Sequence, residues 1–490
     1  MGYGLMFRLV DAVRGTSPLR AAFLRGWVTG CAYFVVSVWW IAQPFQVDAK
    51  EQGWMAPFAV VLVAMFMALF WGAASVVYRV LAGRSVLRAL LFAASLSGFE
   101  WLRGHILTGF PWDLPGETWL AGSALSQTAA FVGAYGLTWI TLAGAAALVV
   151  EAEGRAGRRM ALSAVVALVG LWGVGAERLK LSPPPQAGAP LIRVVQPDIP
   201  QSNKYDPAMF DGILGRYVGL TAKAAVGPAP DVIVWPEGAI PAAFEDYLAP
   251  GTWTRDAITQ ALSPGQTLIL GGYRLAHDNH GKTVAFNSLA ALRLEKGTLQ
   301  AEGLYDKYRL VPFGEFMPLD GLASLLGIKQ LVHVGDGFTP GPRPRPLRLP
   351  GLPAVQPLIC YEALYPGFTR AGSTLSNLRP SWIVNISNDA WFGTASGPRQ
   401  HFNMASYRAI EEGLPIVRAT PTGISAFIDA FGRPVAGKRL GVGALGVIDA
   451  RLPPALPPTL YDRFGDGLFF FALALSLVGA AWPIWWRRRS

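Results

Sequence analysis

Three residues whose types could together perform nucleophilic chemistry lie far apart in the sequence. Glu237 follows the apolar run 232–235, Cys360 follows the apolar run 355–359, and Lys307 lies in a segment rich in aromatic residues and proline. A carboxylate that removes the thiol proton, with an ammonium nearby, can turn a cysteine into a nucleophile at neutral pH. Taken singly, a glutamate after a strand is usually a solvated carboxylate, and a cysteine at such a position is usually a buried, inert thiol.

The segment around Lys307 adds a second carboxylate. Residues 305–318 place Lys307 and Glu315 among tyrosines, phenylalanines and prolines. These aromatic neighbours indicate partial burial, and a buried lysine needs a carboxylate partner. A charged surface loop is the alternative interpretation of the same segment.

Two further segments place polar residues directly after predicted strands. Cys360 precedes a turn in which backbone N–H groups can point at a developing oxyanion. The segment 382–393 ends in polar and aromatic residues that include Asn388 and Trp391. It predicts either one wall of a substrate pocket or only a turn.

Short apolar runs bounded by Pro, Gly and Asp predict the strands that position these residues. The runs are 191–195, 232–235, 267–270, 355–359, 382–386 and 424–428. Helix-like stretches such as 209–225 and 401–412 lie between several of them. Strands that alternate with helices indicate an α/β layer architecture, in which ligands meet the carboxyl ends of the strands.

The remainder of the chain has the composition of a membrane protein. Of the 490 residues, 52% are hydrophobic and only 15% are charged, whereas a soluble domain carries about a quarter charged residues. Six apolar stretches are long enough for transmembrane helices, at 26–45, 55–78, 89–107, 127–150, 160–177 and 467–486. In the third, Glu100 and Arg103 are three residues apart on one helical face, which predicts an ion pair.

The basic residues predict how these spans are oriented. The formal net charge of +10 is concentrated before the first span, in two loops between spans and at residues 487–489. By the positive-inside rule these arginine-rich segments are cytoplasmic, as are both termini. The sequence therefore predicts a multi-pass membrane protein, with residues 180–465 on the side of the membrane opposite the cytoplasm. The same charge pattern argues against nucleic-acid binding, because no basic helix or aromatic platform accompanies it.

Cysteine, histidine and metal-binding patterns narrow the chemistry. The two cysteines, Cys31 and Cys360, indicate no disulfide framework. None of the five histidines lies in the four segments 232–241, 305–318, 357–366 and 382–393, which argues against a Cys–His protease. No metal-ligand cluster or nucleotide loop is apparent, so we expect no metal and no cofactor. We expect a monomer.

Four motifs taken together resemble a known family. They are WPEGAIP (235–241), YDKYRLVPFGEFMP (305–318), ICYEALYP (359–366) and NISNDAWFG (385–393). From residue 191 to about 450 the chain resembles the nitrilase superfamily, and these motifs resemble its membrane-embedded branch, the bacterial apolipoprotein N-acyltransferases. The segment EWLRGHILTGFPWDLPG (100–116) also resembles that branch. In the segment 195–206, Tyr205 stands where the family often has tryptophan.

The resemblance implies a fold and a division into domains. It implies an α-helical transmembrane bundle over residues 1–180, an α-β-β-α sandwich of the nitrilase type over 190–452, and a C-terminal transmembrane helix over 465–487.

The resemblance also implies roles for individual residues. Cys360 would be the nucleophile, Glu237 the general base and Lys307 the stabiliser of the oxyanion. Catalytic support is expected from Glu315, which would orient Lys307, from the backbone N–H of Tyr361, and from Glu362. Residues expected to contact substrate are Tyr205, Trp235, Phe313, Phe316, Asn388 and Trp391.

The implied reaction moves an acyl group from a phospholipid, through a thioester on Cys360, to the α-amine of a lipoprotein's N-terminal diacylglyceryl-cysteine. The expected partners are therefore the phospholipid donor, the lipoprotein acceptor and membrane lipid. Two rivals remain. One is a membrane-anchored amidase or nitrilase that uses water as the acceptor, and the other is a binding protein without catalysis.

Overall fold

The computed structural model describes residues 2–181, 183–184, 186–204, 206–317 and 337–487, without the side chains of Asn203 and of residues 480–487. The chain forms two compact units. The first comprises residues 1–182, 406–413 and 457–490, and the second comprises residues 183–405 and 414–456.

The first unit is built from helices over its N-terminal part. Their bounds are α1 Gly2–Asp11, α2 Pro18–Ser37, α3 Ala49–Gln52, α4 Ala56–Leu81, α5 Arg88–His105, α6 Ala129–Val149 and α7 Gly154–Lys180. The second to fifth predicted spans coincide with α4, α5, α6 and α7, whereas the first, 26–45, extends beyond the end of α2 at Ser37. Within the described part of the chain, three helical stretches are long and apolar enough to cross a membrane, namely Ala49–Leu81, Leu125–Ala152 and Gly154–Lys180. A fourth candidate joins Pro18–Ser37 to Trp39–Gln46 across a bend of 61°.

Helix α5 is less apolar because it buries the predicted ion pair. Arg103 is paired with Glu100, and both side chains are at least 98% buried. The indole Nε1 of Trp71 also donates to Oε1 of Glu100 at 2.6 Å. The predicted Glu100–Arg103 pair is thus confirmed. Pairing lowers the cost of burying two charged side chains in an apolar helix. How many of the six helices cross a membrane stays a prediction.

The second unit contains two β-sheets. Its strands are β1 Leu191–Gln196, β2 Val232–Val234, β3 Thr267–His277, β4 Thr283–Glu295, β5 Thr298–Asp306, β6 Val355–Ile359, β7 Trp382–Ile386, β8 Ile416–Ala419, β9 Ser425–Ile428, β10 Pro434–Leu440 and β11 Gly446–Arg451. The first sheet has the order β11-β1-β2-β3-β4-β5, and the second has the order β10-β9-β8-β7-β6. Strands β1, β2 and β3 are parallel, as are β6, β7 and β8.

Alternating side chains of the first sheet enter two different cores. Val232 and Val234 of β2 pack with Val384 and Ile386 of the second sheet, so this core lies between the sheets. Ile233 points the other way and joins a core with helical residues. Because the parallel strands are covered on both faces, they appear in the sequence as continuous apolar runs.

Helices cover the sheets and complete the layers. Their bounds are α8 Gln201–Lys204, α9 Phe210–Ala222, α10 Phe244–Tyr247, α11 Trp253–Ala261, α12 Phe368–Ser376 and α13 Gly397–Glu412. Helices α9 and α11 supply Tyr217 and Ile258 to the outer core of the first sheet. The α-β-β-α arrangement expected from the sequence is confirmed.

The chain ends with two helices that belong to the first unit, α14 Leu460–Phe464 and α15 Gly467–Arg487. Helix α15 coincides with the sixth predicted span, and its described apolar part, Gly467–Gly479, is shorter than a full span. In the same unit, Gly133 interrupts α6 with φ of +68°, and Tyr461 of α14 fills the space where a Cβ atom would lie.

Candidate active site

Glu237 and Lys307 meet at strand ends of the second unit, 70 residues apart in sequence. Glu237 follows β2, and Lys307 follows β5. Nζ of Lys307 donates to Oε1 of Glu237 at 3.1 Å, and the side chains of Lys307 and Glu237 are 1% and 9% exposed. Close packing of β3 against this point requires Gly271, because a Cβ atom there would lie 2.6 Å from Cα of Glu237.

Lys307 has a second carboxylate partner in Glu315. Nζ of Lys307 donates to Oε1 of Glu315 at 2.8 Å, and Oε2 of Glu315 accepts from the backbone N–H of Val311 at 2.8 Å. The predicted pairing of Lys307 with Glu315 is therefore present in the structure. An ammonium has three N–H donors, and the contacts of Lys307 with the described residues use two of them, so one remains for a substrate oxygen.

Asn287, on β4, joins the two carboxylates. Its Nδ2 donates to Oε1 of Glu237 at 2.8 Å and to Oε1 of Glu315 at 2.6 Å. Its backbone oxygen accepts from the N–H of Lys307 at 2.8 Å. One side chain thus spaces the two carboxylates around the ammonium, and the strand that carries it fixes the backbone of Lys307.

Cys360 stands at the end of β6 in a left-handed conformation. Its φ is +48°, which is uncommon for a residue other than glycine and is typical of functional positions. The turn Cys360–Leu364 follows at once. The thiol is buried, and the charges of Glu237 and Lys307 both act on it. The structure therefore brings the three predicted catalytic residues into one site.

Burial and charge set the resting protonation of this site. Burial and the Glu237 carboxylate raise the pKa of the Cys360 thiol well above its usual value. Burial opposes the ionisation of Glu237, but Lys307 and Asn287 outweigh it and hold the pKa of that carboxyl below its ordinary value. Burial would also lower the pKa of Lys307, yet Glu237 and Glu315 together raise it. The free site therefore holds a thiol, a carboxylate base and an ammonium.

Glu362 connects the cysteine turn to the lysine segment. Its Oε2 accepts from the backbone N–H of Ile359 at 2.8 Å, directly before Cys360. Its Oε1 accepts from the hydroxyl of Tyr305 at 2.7 Å and from the backbone N–H of Tyr308 at 2.8 Å. Burial raises the pKa of Glu362 to about 7, against the effect of these donors. The contacts support the predicted role of Glu362 in holding the site together.

A buried charged cluster lies behind the cysteine backbone. Nε2 of His401 lies 3.3 Å from the carbonyl oxygen of Cys360, and Nδ1 of His401 lies 2.9 Å from Oδ1 of Asp389. Arg418 pairs with Asp389 at 2.8 Å. His401 thus contacts the main chain of Cys360 and holds its left-handed turn.

Asn388 lies beside the predicted base. Its backbone N–H donates to Oε2 of Glu237 at 2.8 Å. In the amide orientation that best satisfies its neighbours, its side-chain oxygen accepts from Nε1 of Trp391 and from Nζ of Lys204, each at 3.3 Å. Two predicted substrate-contacting residues, Asn388 and Trp391, therefore contact each other, and Asn388 also contacts Glu237.

The other residues expected to contact substrate have different positions. Phe313 is 52% exposed, at the tip of a tight turn, and Phe316 closes that turn with its backbone oxygen, 2.8 Å from the N–H of Phe313. Trp235 is fully buried and donates to Oγ1 of Thr221 at 2.9 Å. The expectation of a substrate contact for Trp235 has no support here, because its indole packs in the core of the domain.

Two of the expected residues receive no new role from the structure. Tyr205 lies outside the described residues. Tyr361 is buried against Tyr365, with ring centroids 5.3 Å apart, and the proposed use of its N–H stays a prediction.

Sequence reasoning missed Asn287, Lys204 and His401. Asn287 and Lys307 are carried by the hairpin of β4 and β5, which was not among the predicted strands. The signal was the pair Lys296–Gly297, where φ is positive at both residues, as in a two-residue hairpin turn. Nothing in the spacing of Lys204 or His401 indicated their burial beside Glu237 and Cys360.

The two-sheet fold and the Glu–Lys–Cys arrangement are those expected for a carbon-nitrogen hydrolase domain, and comparison with known families gives the same class. Residues 191–456 match the carbon-nitrogen hydrolase family. Residues 2–148 match the apolipoprotein N-acyltransferase N-terminal domain. The chain belongs to the apolipoprotein N-acyltransferase family.

Curated relatives cover almost the whole chain. It is 51% identical to the apolipoprotein N-acyltransferase of Caulobacter vibrioides over 98% of this chain and 89% of the relative. It is 39% identical to that of Bradyrhizobium diazoefficiens over 94% of this chain and 85% of the relative. Among solved structures, an amidase from Nesterenkonia sp. is similar with a TM-score of 0.36 and 17% identity, over 55% of this chain and 92% of the amidase.

Proposed function

We propose that this protein transfers a fatty acyl group from a phospholipid to the α-amine of the N-terminal diacylglyceryl-cysteine of lipoproteins. The observation that carries the proposal is the pairing of Lys307 with both Glu237 and Glu315 beside Cys360, in a chain of this family. The acceptor is an amine and the donor an ester, so the enzyme is an N-acyltransferase that works through a thioester.

In the first step, Glu237 takes the thiol proton while the sulfur of Cys360 attacks the ester carbonyl carbon of the donor. The carbonyl electron pair moves to oxygen, and the remaining N–H of Lys307 stabilises the resulting oxyanion, together with the N–H of Tyr361. When the intermediate collapses, the glycerol oxygen leaves and takes the proton back from Glu237. The products are a thioester on Cys360 and a lysophospholipid.

In the second step, the α-amine of the lipoprotein attacks the thioester carbonyl and gives a proton to Glu237. The same donors stabilise the second oxyanion. Collapse breaks the carbon–sulfur bond, and the sulfur takes the proton from Glu237 to restore the thiol. The product carries an amide at its N-terminus. Electrostatic stabilisation of such an oxyanion is worth about 3–4 kcal/mol per donor in other acyl-transfer enzymes.

The substrates explain why the enzyme has a membrane part. Both are lipids anchored in a bilayer, so the catalytic domain must work at its surface. We infer from the arginine-rich loops that this domain lies on the periplasmic side of the inner membrane, with both termini in the cytoplasm. We expect acyl chains to contact the half-exposed Phe313, Phe316 in the same turn, and Trp391 beside Asn388.

The proposal is tested by intact mass spectrometry of the purified protein after incubation with phospholipid vesicles. Wild type is expected to gain one acyl chain in a hydroxylamine-labile bond, and Cys360→Ser is expected to gain none. Adding a diacylated lipopeptide should then discharge the adduct and yield an amide product.

The controls separate this activity from its rivals. Release of free fatty acid without transfer to the lipopeptide would indicate a hydrolase that uses water. A folded wild type with neither adduct nor turnover would contradict the proposal altogether. Phe313→Ser should slow acylation from vesicles, and an unchanged rate would remove Phe313 from the lipid contact.

A further inference from the structure

A second lysine is buried beside the catalytic base. Lys204 ends helix α8, and only 6% of its surface is exposed. Among the residues that the structure describes, its one hydrogen-bond partner is the side-chain oxygen of Asn388, at 3.3 Å. A buried ammonium with one neutral partner is costly, because two of its three N–H donors are left without acceptors.

Lys204 differs in this respect from Lys307. Lys307 has carboxylate oxygens at 2.8 and 3.1 Å, from Glu315 and Glu237. No carboxylate of the described residues lies within ion-pair distance of Lys204. Burial lowers the pKa of Lys204 to about 8, although Glu237 and Cys360 partly oppose this. The charge of Lys204 is therefore available to a ligand.

The position of Lys204 is fixed by the residue that follows the base. Gly238 has φ of +54°, and a Cβ atom there would lie 2.7 Å from Nζ of Lys204. The ammonium thus rests against the main chain directly after Glu237. Asn388 contacts both residues, since its N–H binds Glu237 and its side chain binds Lys204.

We propose that Lys204 binds the phosphodiester of the acyl donor while the donor's ester carbonyl lies at Cys360. This inference rests on the proposed function. In a glycerophospholipid the phosphate and the acyl esters share one glycerol, so a cation beside the base and a nucleophile in the same site can engage both groups. The phosphate would give Lys204 the anionic partner that the protein does not supply, in a charge-assisted hydrogen bond. Lys204 then selects a phospholipid over a neutral glyceride as donor.

The test compares two donors that differ in the phosphate. Full-length wild type and Lys204→Met are incubated in detergent micelles with a phospholipid or with a diacylglycerol of the same acyl chains. The rate of thioester formation is followed by intact mass spectrometry. Methionine replaces the ammonium by an apolar group of similar length, which needs no buried partner. Lys223→Gln, at an exposed position of the same unit, is the matched control.

The expected result is a change in preference. In Lys204→Met, the ratio of the phospholipid rate to the diacylglycerol rate should fall about 10- to 100-fold, the usual effect of losing a hydrogen bond to a charged group. Lys223→Gln should keep the wild-type ratio, and Lys204→Arg should restore part of it.

Two outcomes would overturn the inference. An unchanged ratio with both rates lowered equally would show that Lys204 acts on Glu237 rather than on the donor. An unchanged ratio with unchanged rates would show that Lys204 has no part in acylation. Failure of wild type to form any adduct, by contrast, would reject the proposed function itself.

Discussion

Replacement of Glu315 by glutamine tests whether the second carboxylate positions Lys307. In the structure, Oε1 of Glu315 accepts from Lys307 at 2.8 Å and from Asn287 at 2.6 Å, and its Oε2 accepts from the N–H of Val311 at 2.8 Å. All three contacts are donors. A glutamine offers one oxygen and one NH2 group, so at least one donor must face another donor.

The magnitude follows from the contact that is lost. If the amide oxygen keeps Lys307 and Asn287, the backbone N–H of Val311 loses its partner and the loop that carries Glu315 shifts. If the oxygen turns to Val311, Lys307 loses a charged hydrogen bond worth about 1.5–3 kcal/mol. If the same free energy is lost from the stabilisation of the transition state by Lys307, acylation slows about 10- to 100-fold.

The assay is the rate of thioester formation from phospholipid, measured at one pH with Glu295→Gln as the control. Glu295 lies on the hairpin of β4 and β5, which also carries Asn287, and it pairs with Arg293 at 2.9 Å, but its side chain is 49% exposed. Exposed pairs contribute about 0–1 kcal/mol, so this control should acylate at the wild-type rate. A folded Glu315→Gln protein within twofold of wild type would falsify the argument that Glu315 positions Lys307.

Three other changes have definite expected outcomes. Asn287→Leu removes a hydrogen-bond donor that lowers the pKa of Glu237. Because Glu237 must be ionised to act as a base, activity is present above its pKa and lost below it, so the acid limb of the rate–pH profile should move to higher pH. An acid limb at the wild-type pH would contradict this role of Asn287. Glu362→Gln turns an NH2 group toward backbone N–H donors, which should slow acylation about tenfold. The rate is measured by intact mass spectrometry of samples quenched at successive times. A wild-type rate would show that Glu362 does not connect the cysteine turn to the lysine segment. His401→Leu removes the contact between the imidazole ring and the backbone carbonyl of Cys360. If this contact positions the cysteine turn, kcat should fall about tenfold while the KM for the donor stays constant. A change in KM alone would contradict that role of His401.

The strands that precede Glu237 and Cys360 could be located from the sequence because both faces of each strand are buried. Runs such as 232–235 and 355–359 are continuous in apolar residues, and the polar residue that follows each run marks the strand end. The resemblance of the motifs, and the order Glu, Lys, Cys along the chain, then predicted the roles of Lys307 and Glu315. The hairpin of β4 and β5 was missed, since its strands mix polar and apolar residues.

The amino-acid sequence alone predicts the kind of chemistry, because the types Glu, Lys and Cys in recognisable motifs limit which reactions a site can catalyse. It also determined that much of the chain is apolar helix, since about 20 consecutive apolar residues have few other uses. Which side chains share a site depends on the three-dimensional fold. Asn287 touches two carboxylates, and Lys204 lies beside Glu237, through contacts between residues 28 to 184 positions apart. Such contacts depend on strand register and on which face of a strand or helix is buried, and residue types alone do not specify either.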